Sequence, residues 1–95
     1  MIQKTTQIKN ESFTKFLKLL STNFPTWRFQ NMSSTKNPKI THYHIYSTDK
    51  KIKGVLEITH DPSRNKEVVL KIADNRKTDW SLQALDTLKR ENFNG

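Results

Sequence analysis

At 95 residues the chain is bounded to one small domain, 1–95; 33% hydrophobic residues suffice for a small core, and only 2 Gly and 3 Pro exclude a low-complexity linker. Lys and Arg number 17 against 9 Asp and Glu, a formal net charge of +8, which favours phosphate-bearing or acidic partners and says nothing about fold. The absence of cysteine excludes disulfides and thiolate–zinc sites.

Residues 1–9 open with IQKTTQIK, where Ile2 and Ile8 flank Thr-rich polar positions. That is the pattern of a short edge strand or of a frayed tail. The next stretch, 11–24, changes period. Phe13, Phe16, Leu17, Leu20 and Phe24 follow helical spacing and form one apolar stripe, with Lys15 and Lys18 away from it. Asn10 is the expected N-cap, Glu11 suits the first turn, and Pro25 stops the helix. An aromatic stripe at this spacing is read as core. TWRFQNM follows as a strand with Trp27 and Phe29 on one face, and SSTKNPK is a polar loop holding Lys36, Pro38 and Lys39.

Ile40 to Ala73 carries three successive strands, ITHYHIYS, IKGVLEIT and EVVLKIA, separated by TDKK and HDPSRN. Leu56 and Ile58 fall on one side, with Lys53, Glu57 and Thr59 on the other; Val68, Leu70 and Ile72 oppose Lys71. A period of two marks a half-buried antiparallel meander. Gly54 inside a strand signals a bulge or a close backbone approach, and Asp61-Pro62-Ser63 a turn. The last amphipathic stretch, 79–93, predicts a helix capped by Asp79 and running to about residue 91. Leu82, Leu85, Leu88 and Phe93 form its expected inner side, and Lys89 and Arg90 fall in its last turn. The reading is an α+β fold of order (β)-α-β-β-β-β-α: a small antiparallel meander of four to five strands, with two helices packed on one face. Phe16, Leu20, Leu56, Leu70 and Leu85 are expected in one core.

His42 and His44 stand two apart on a strand and so point the same way. One strand can present two metal ligands in this manner, and the pattern resembles the His-hydrophobic-His motif of rolling-circle replication nucleases. Those enzymes also use a nucleophilic tyrosine, usually on a helix. Here Tyr43 and Tyr46 lie in the same strand, and the sequence shows no evident third ligand. There is no Gly-rich phosphate loop, and the carboxylates Asp49, Asp61, Asp74 and Asp79 lie in turns. The expectation is no catalytic, cofactor or metal site, and no enzyme.

Basic residues gather in the connections instead. Lys50, Lys51 and Lys53 surround the turn after the first meander strand, and Arg76 and Lys77 follow the last. Neighbouring strands place those two connections at one end of the sheet. They are the expected anion- or partner-binding patch, with Lys36, Lys39, Lys89 and Arg90 secondary.

Several local strings carry a family resemblance that spans about Thr5 to Arg90. FTKFLKLLSTNF followed by PTWRF, then HIYSTDKKIKGVLEI with its Thr48-Asp49-Lys50-Lys51 turn, then EVVLKIADNRKTDWSLQAL, is similar to the kinase-associated-one domain, closest to the checkpoint-kinase type. Thr78 stands where that family usually has Gly, and Gln83 and Ala84 lie near the place of its Phe-basic pair. The resemblance implies a non-catalytic C-terminal module of a Ser/Thr kinase that restrains the kinase domain, docks on anionic phospholipid, or both. The alternative is a small stand-alone nucleic-acid-binding or protein-inhibitor protein of a mobile element or phage. The expected partners are an acidic protein surface or kinase catalytic domain and anionic phospholipid, with nucleic acid as the alternative. No apolar run approaches membrane-spanning length, so the expected location is cytoplasmic or nuclear, with peripheral membrane association.

Overall fold

The computed structural model describes residues 1–8, 12–36, 39–64 and 67–90, the side chains of Arg64 and Arg90 excepted. Five strands form one antiparallel sheet: β1 (Ile2–Gln7), β2 (Trp27–Asn31), β3 (Thr41–Ser47), β4 (Leu56–His60) and β5 (Glu67–Ile72), in the order β1-β5-β4-β3-β2. The residues 1–9 question resolves to an edge strand, since β1 pairs with β5 from Ile2↔Ile72 to Gln7↔Glu67. β2 to β5 are the meander.

Alternation decides the sheet's two faces. In β5 every second residue, Val68, Leu70 and Ile72, is fully buried, and in β4 Leu56 and Ile58 are as well. Their registered neighbours Tyr43 and Ile45 in β3 share that face. Helix α1 (Phe13–Asn23) adds Phe13, Phe16 and Leu20 to it, and helix α2 (Asp79–Arg90) adds Ala84, Leu85 and Leu88. Because both helices enter one core cluster with this face, the opposite face stays bare of helices. Phe16, Leu20, Leu56, Leu70 and Leu85 all lie in that core, as the spacing predicts. No helix among the described residues is long and apolar enough to cross a membrane.

The helix ends differ from the sequence expectation. Ser12, extended at φ −73° and ψ 161°, caps α1 by accepting a bond from the Lys15 N–H at 3.2 Å. Asn10 and Glu11 lie outside the described residues. At the other end Phe24 stacks on Trp27 at 4.1 Å, so the stop before Pro25 also seats the next strand. For α2 the cap is Thr78 and not Asp79. Thr78 Oγ1 accepts from the Ser81 N–H at 3.2 Å, and Ser81 Oγ accepts from the Thr78 N–H at 2.8 Å. This is a reciprocal capping box with Ser in the place of the usual Glu or Gln. Ser81 therefore points inward, and Ala84, Leu85 and Leu88 follow at +3, +4 and +7. Leu82, expected on the inner side, sits about 100° round the helix from Ser81 and is exposed. Phe93 falls outside the described residues.

The middle strand is shorter than its alternation suggests. Residues 52–55 lie outside β4, and Ile52 is exposed. Gly54 explains the departure: its φ of 125° is one that residues with a side chain rarely adopt. A Cβ there would clash with Thr78 Oγ1, so the close neighbour is a side chain from the β5–α2 connection and not the backbone expected for a glycine within a strand.

Two outcomes test this frame. Leu56→Ala should lower the unfolding free energy by about 2–5 kcal/mol in urea titration, as truncation of a fully buried leucine does. Gly54→Ala should destabilise by about 1–3 kcal/mol from backbone strain, with the contact to Thr78 adding to it.

Candidate functional site

Two constellations stand out, one on the face of the sheet that the helices leave bare and one at an end of the sheet. The first is on the bare face of the sheet. With Tyr43 and Ile45 committed to the core, His42, His44 and Tyr46 must face the other way. The β3–β4 register sets Glu57 directly across from His44 and Thr59 across from His42. His42 Nε2 lies 3.3 Å from Glu57 Oε1, His44 Nε2 lies 3.7 Å from the same oxygen, and the two Nε2 atoms are 3.2 Å apart. His42 Nδ1 bonds Thr59 Oγ1 at 2.7 Å, while His44 Nδ1 has Tyr46 Oη at 3.3 Å and Arg76 Nη1 at 3.4 Å. Among the described residues His42, His44 and Glu57 are the one group of such side chains arranged to hold a metal ion. A cleft of about 270 Å³ opens beside His42, lined by Met32, Ser34, Ile40 and Thr59.

Sequence reasoning found the two histidines and missed Glu57. The glutamate is alone on its strand in the sequence, and only the pairing register makes it their neighbour. Burial holds His44 below the ordinary histidine range; His42 and Arg76 push the same way, while Glu57 opposes them.

The second constellation is the end of the sheet where the β3–β4 and β5–α2 connections meet. Asp49 shapes the first connection by accepting from the Lys51 N–H at 2.9 Å with its side chain and from the Ile52 N–H at 3.0 Å with its carbonyl. Thr78 Oγ1 then donates to the Lys53 carbonyl at 2.8 Å and ties the two connections together. Lys50, Lys51, Lys53, Arg76 and Lys77 are all exposed at this joined end. Arg28, which sequence reasoning did not select, belongs here too: its guanidinium lies 4.3 Å from the centre of the Tyr46 ring. Arg28, Lys50, Lys53 and Ile52 line one groove of about 340 Å³. Lys36 and Lys39 lie in the β2–β3 connection, at the opposite end. Lys89 is eleven residues along α2 from its cap, about 16 Å away. The side chain of Arg90 is outside the described residues.

A further cleft of about 470 Å³ lies on the helix-bearing face, where Phe13 stacks on His60 at 4.9 Å beside Tyr43 and Leu17. It carries one lysine, Lys18, and no cluster of charge. Comparison with family models, with curated proteins and with solved structures gives no match to this chain.

The depressed His44 gives a pH signature. Below the ordinary histidine pKa near 6.5 the unfolded chain takes up a proton that folded His44 resists, so the unfolded state binds more protons and stability falls with acidification. Unfolding curves in a chelator should show this loss starting as pH drops through about 6.5 and levelling once folded His44 itself protonates. His44→Gln should flatten the profile over that window.

Proposed function

We propose that this chain is a non-catalytic docking domain that seats on anionic phospholipid through its basic end. The observation that carries the reading is the Thr78–Lys53 bond, which fuses two basic connections into one surface. Five exposed cations converge there, and Arg28, Lys50 and Lys53 frame a groove sized for a phosphate-bearing head group. Ile52 favours lipid over nucleic acid. It is 44% exposed, flanked in sequence by Lys50, Lys51 and Lys53, and lines the same groove as Lys50 and Lys53, so an exposed apolar side chain stands among cations. That pairing suits the boundary between head groups and acyl chains. The resemblance to kinase-associated-one domains supports the same role, that of a C-terminal regulatory module of a Ser/Thr kinase with peripheral membrane targeting. Restraint of a kinase domain would use the same cations against an acidic protein surface.

The test is sedimentation with phosphatidylserine-containing vesicles, and gel shift with duplex DNA, across a salt series. Lys50→Glu with Lys77→Glu should weaken vesicle binding by about 2 kcal/mol or more, given roughly 1 kcal/mol per basic residue near the surface, and should flatten the salt slope. Lys36→Glu with Lys39→Glu should do much less. Ile52→Asn, which removes the apolar side chain without changing the charge, should weaken vesicle binding and spare whatever DNA is bound. Equal losses from both lysine pairs would mean diffuse charge and would overturn the reading; DNA binding that outlasts vesicle binding in salt would transfer it to nucleic acid.

A further inference from the structure

The geometry points to a divalent transition-metal site of the zinc type at His42, His44 and Glu57, a reading independent of the docking role. Three ligand atoms must converge on one point at the right distance, and these do. Separations of 3.2, 3.3 and 3.7 Å between His42 Nε2, His44 Nε2 and Glu57 Oε1 define a triangle. The point equidistant from its corners lies about 2.0 Å from each, and zinc–imidazole and zinc–carboxylate bonds measure about 2.0–2.2 Å. Tetrahedral bonds of that length put ligand atoms about 3.3 Å apart. An ion therefore fits slightly above the plane of the three atoms with little movement of the backbone.

Orientation agrees with distance. The two imidazole centroids are 5.0 Å apart and the Nε2 atoms 3.2 Å, so each ring turns its Nε2 corner toward the other. Nδ1 of each ring meets a hydroxyl able to accept its proton, Thr59 Oγ1 for His42 and Tyr46 Oη for His44. Nδ1–H donation to such a partner fixes the tautomer that leaves Nε2 free to ligate. The donor set of two imidazoles and one carboxylate suits zinc and its neighbours, whereas magnesium and calcium prefer all-oxygen shells. Three protein ligands leave the fourth position to solvent or a ligand oxygen, and His42, with a quarter of its side chain exposed, keeps that side accessible.

One residue works against the ion. Arg76 is donor-only, and its Nη1 at 3.4 Å from His44 Nδ1 favours the tautomer protonated at Nε2. Its charge also repels a cation. Arg76 must swing aside on metal loading, and this gives a test that adventitious binding to surface histidines would not pass.

The experiment is calorimetric titration of chelator-treated protein with Zn²⁺, with Co²⁺ absorption in the visible as a second readout. One ion per chain is expected, with Mg²⁺ and Ca²⁺ giving no heat. His42→Ala and the near-isosteric Glu57→Gln should each abolish saturable binding while far-UV circular dichroism stays that of the wild type. Thr59→Val should weaken binding roughly 10–100-fold, the usual effect of losing an outer-shell partner. Arg76→Gln should tighten it. A tetrahedral Co²⁺ spectrum that vanishes in Glu57→Gln supports the site. Absence of saturable Zn²⁺ binding in the wild type overturns it, as does binding that survives both His42→Ala and Glu57→Gln. Should His42→Ala fail to fold, Glu57→Gln alone decides.

Discussion

The register between β3 and β4 is the constraint on which both the core and the bare-face cluster depend. Tyr43↔Ile58, His44↔Glu57 and Ile45↔Leu56 are successive partners, so apolar pairs alternate with one polar pair. A slip of one residue would turn Leu56 and Ile58 to solvent and press Glu57 into the core. Burying an unpaired carboxylate is costly enough to forbid that alternative. The same alternation that hides Leu56 therefore delivers Glu57 to His44. Core and cluster are two consequences of one pairing.

The capping box of α2 is the second fixed point, and it does more than start a helix. Thr78 accepts from Ser81 and donates to the Lys53 carbonyl, so one hydroxyl serves two elements. Ser81, fully buried, accepts from the Thr78 N–H and reaches the Arg76 carbonyl at 3.2 Å. Among the described residues no buried side-chain nitrogen or oxygen is left without a partner, which is what allows two serine and threonine hydroxyls to sit at the core's edge. Gly54 completes the junction, because only a residue without Cβ admits Thr78 at that distance. The basic end owes its shape to this junction and not to the lysines, which are exposed and mutually repulsive.

What the sequence revealed followed from local period. The stripe of Phe13, Phe16 and Leu20 and the alternation of Val68, Leu70 and Ile72 need only the geometry of one element, and both stand as expected. Gly54 was legible only as a special position, a bulge or a close backbone approach, because the Thr78 side chain that crowds it comes from another element. What was hidden depended on a second element. Thr78 displaces Asp79 as cap because the Lys53 carbonyl and Ser81 hold it there; Thr78 and Asp79 are adjacent residues of cap-forming type, and the Lys53 partner lies on another element. Leu82 is exposed because that cap sets the helix phase. Ile52 leaves the strand because Gly54 turns the backbone before Leu56. Glu57 is the sharpest case: its importance rests on which residue lies across the ladder.

Arg76 joins the two constellations and couples their charges. It is exposed at the basic end, yet its guanidinium reaches His44. Its charge is one of the influences that, after burial, hold His44 below the ordinary histidine range. Glu57, the carboxyl-bearing member of the same cluster, lies 3.7 Å from the other nitrogen of that ring. A divalent ion held there would carry the same sign as Arg76, and the repulsion would favour rotation of the guanidinium away from His44. The bare face and the basic end, remote in sequence from His42 to Lys77, therefore meet at a single side chain.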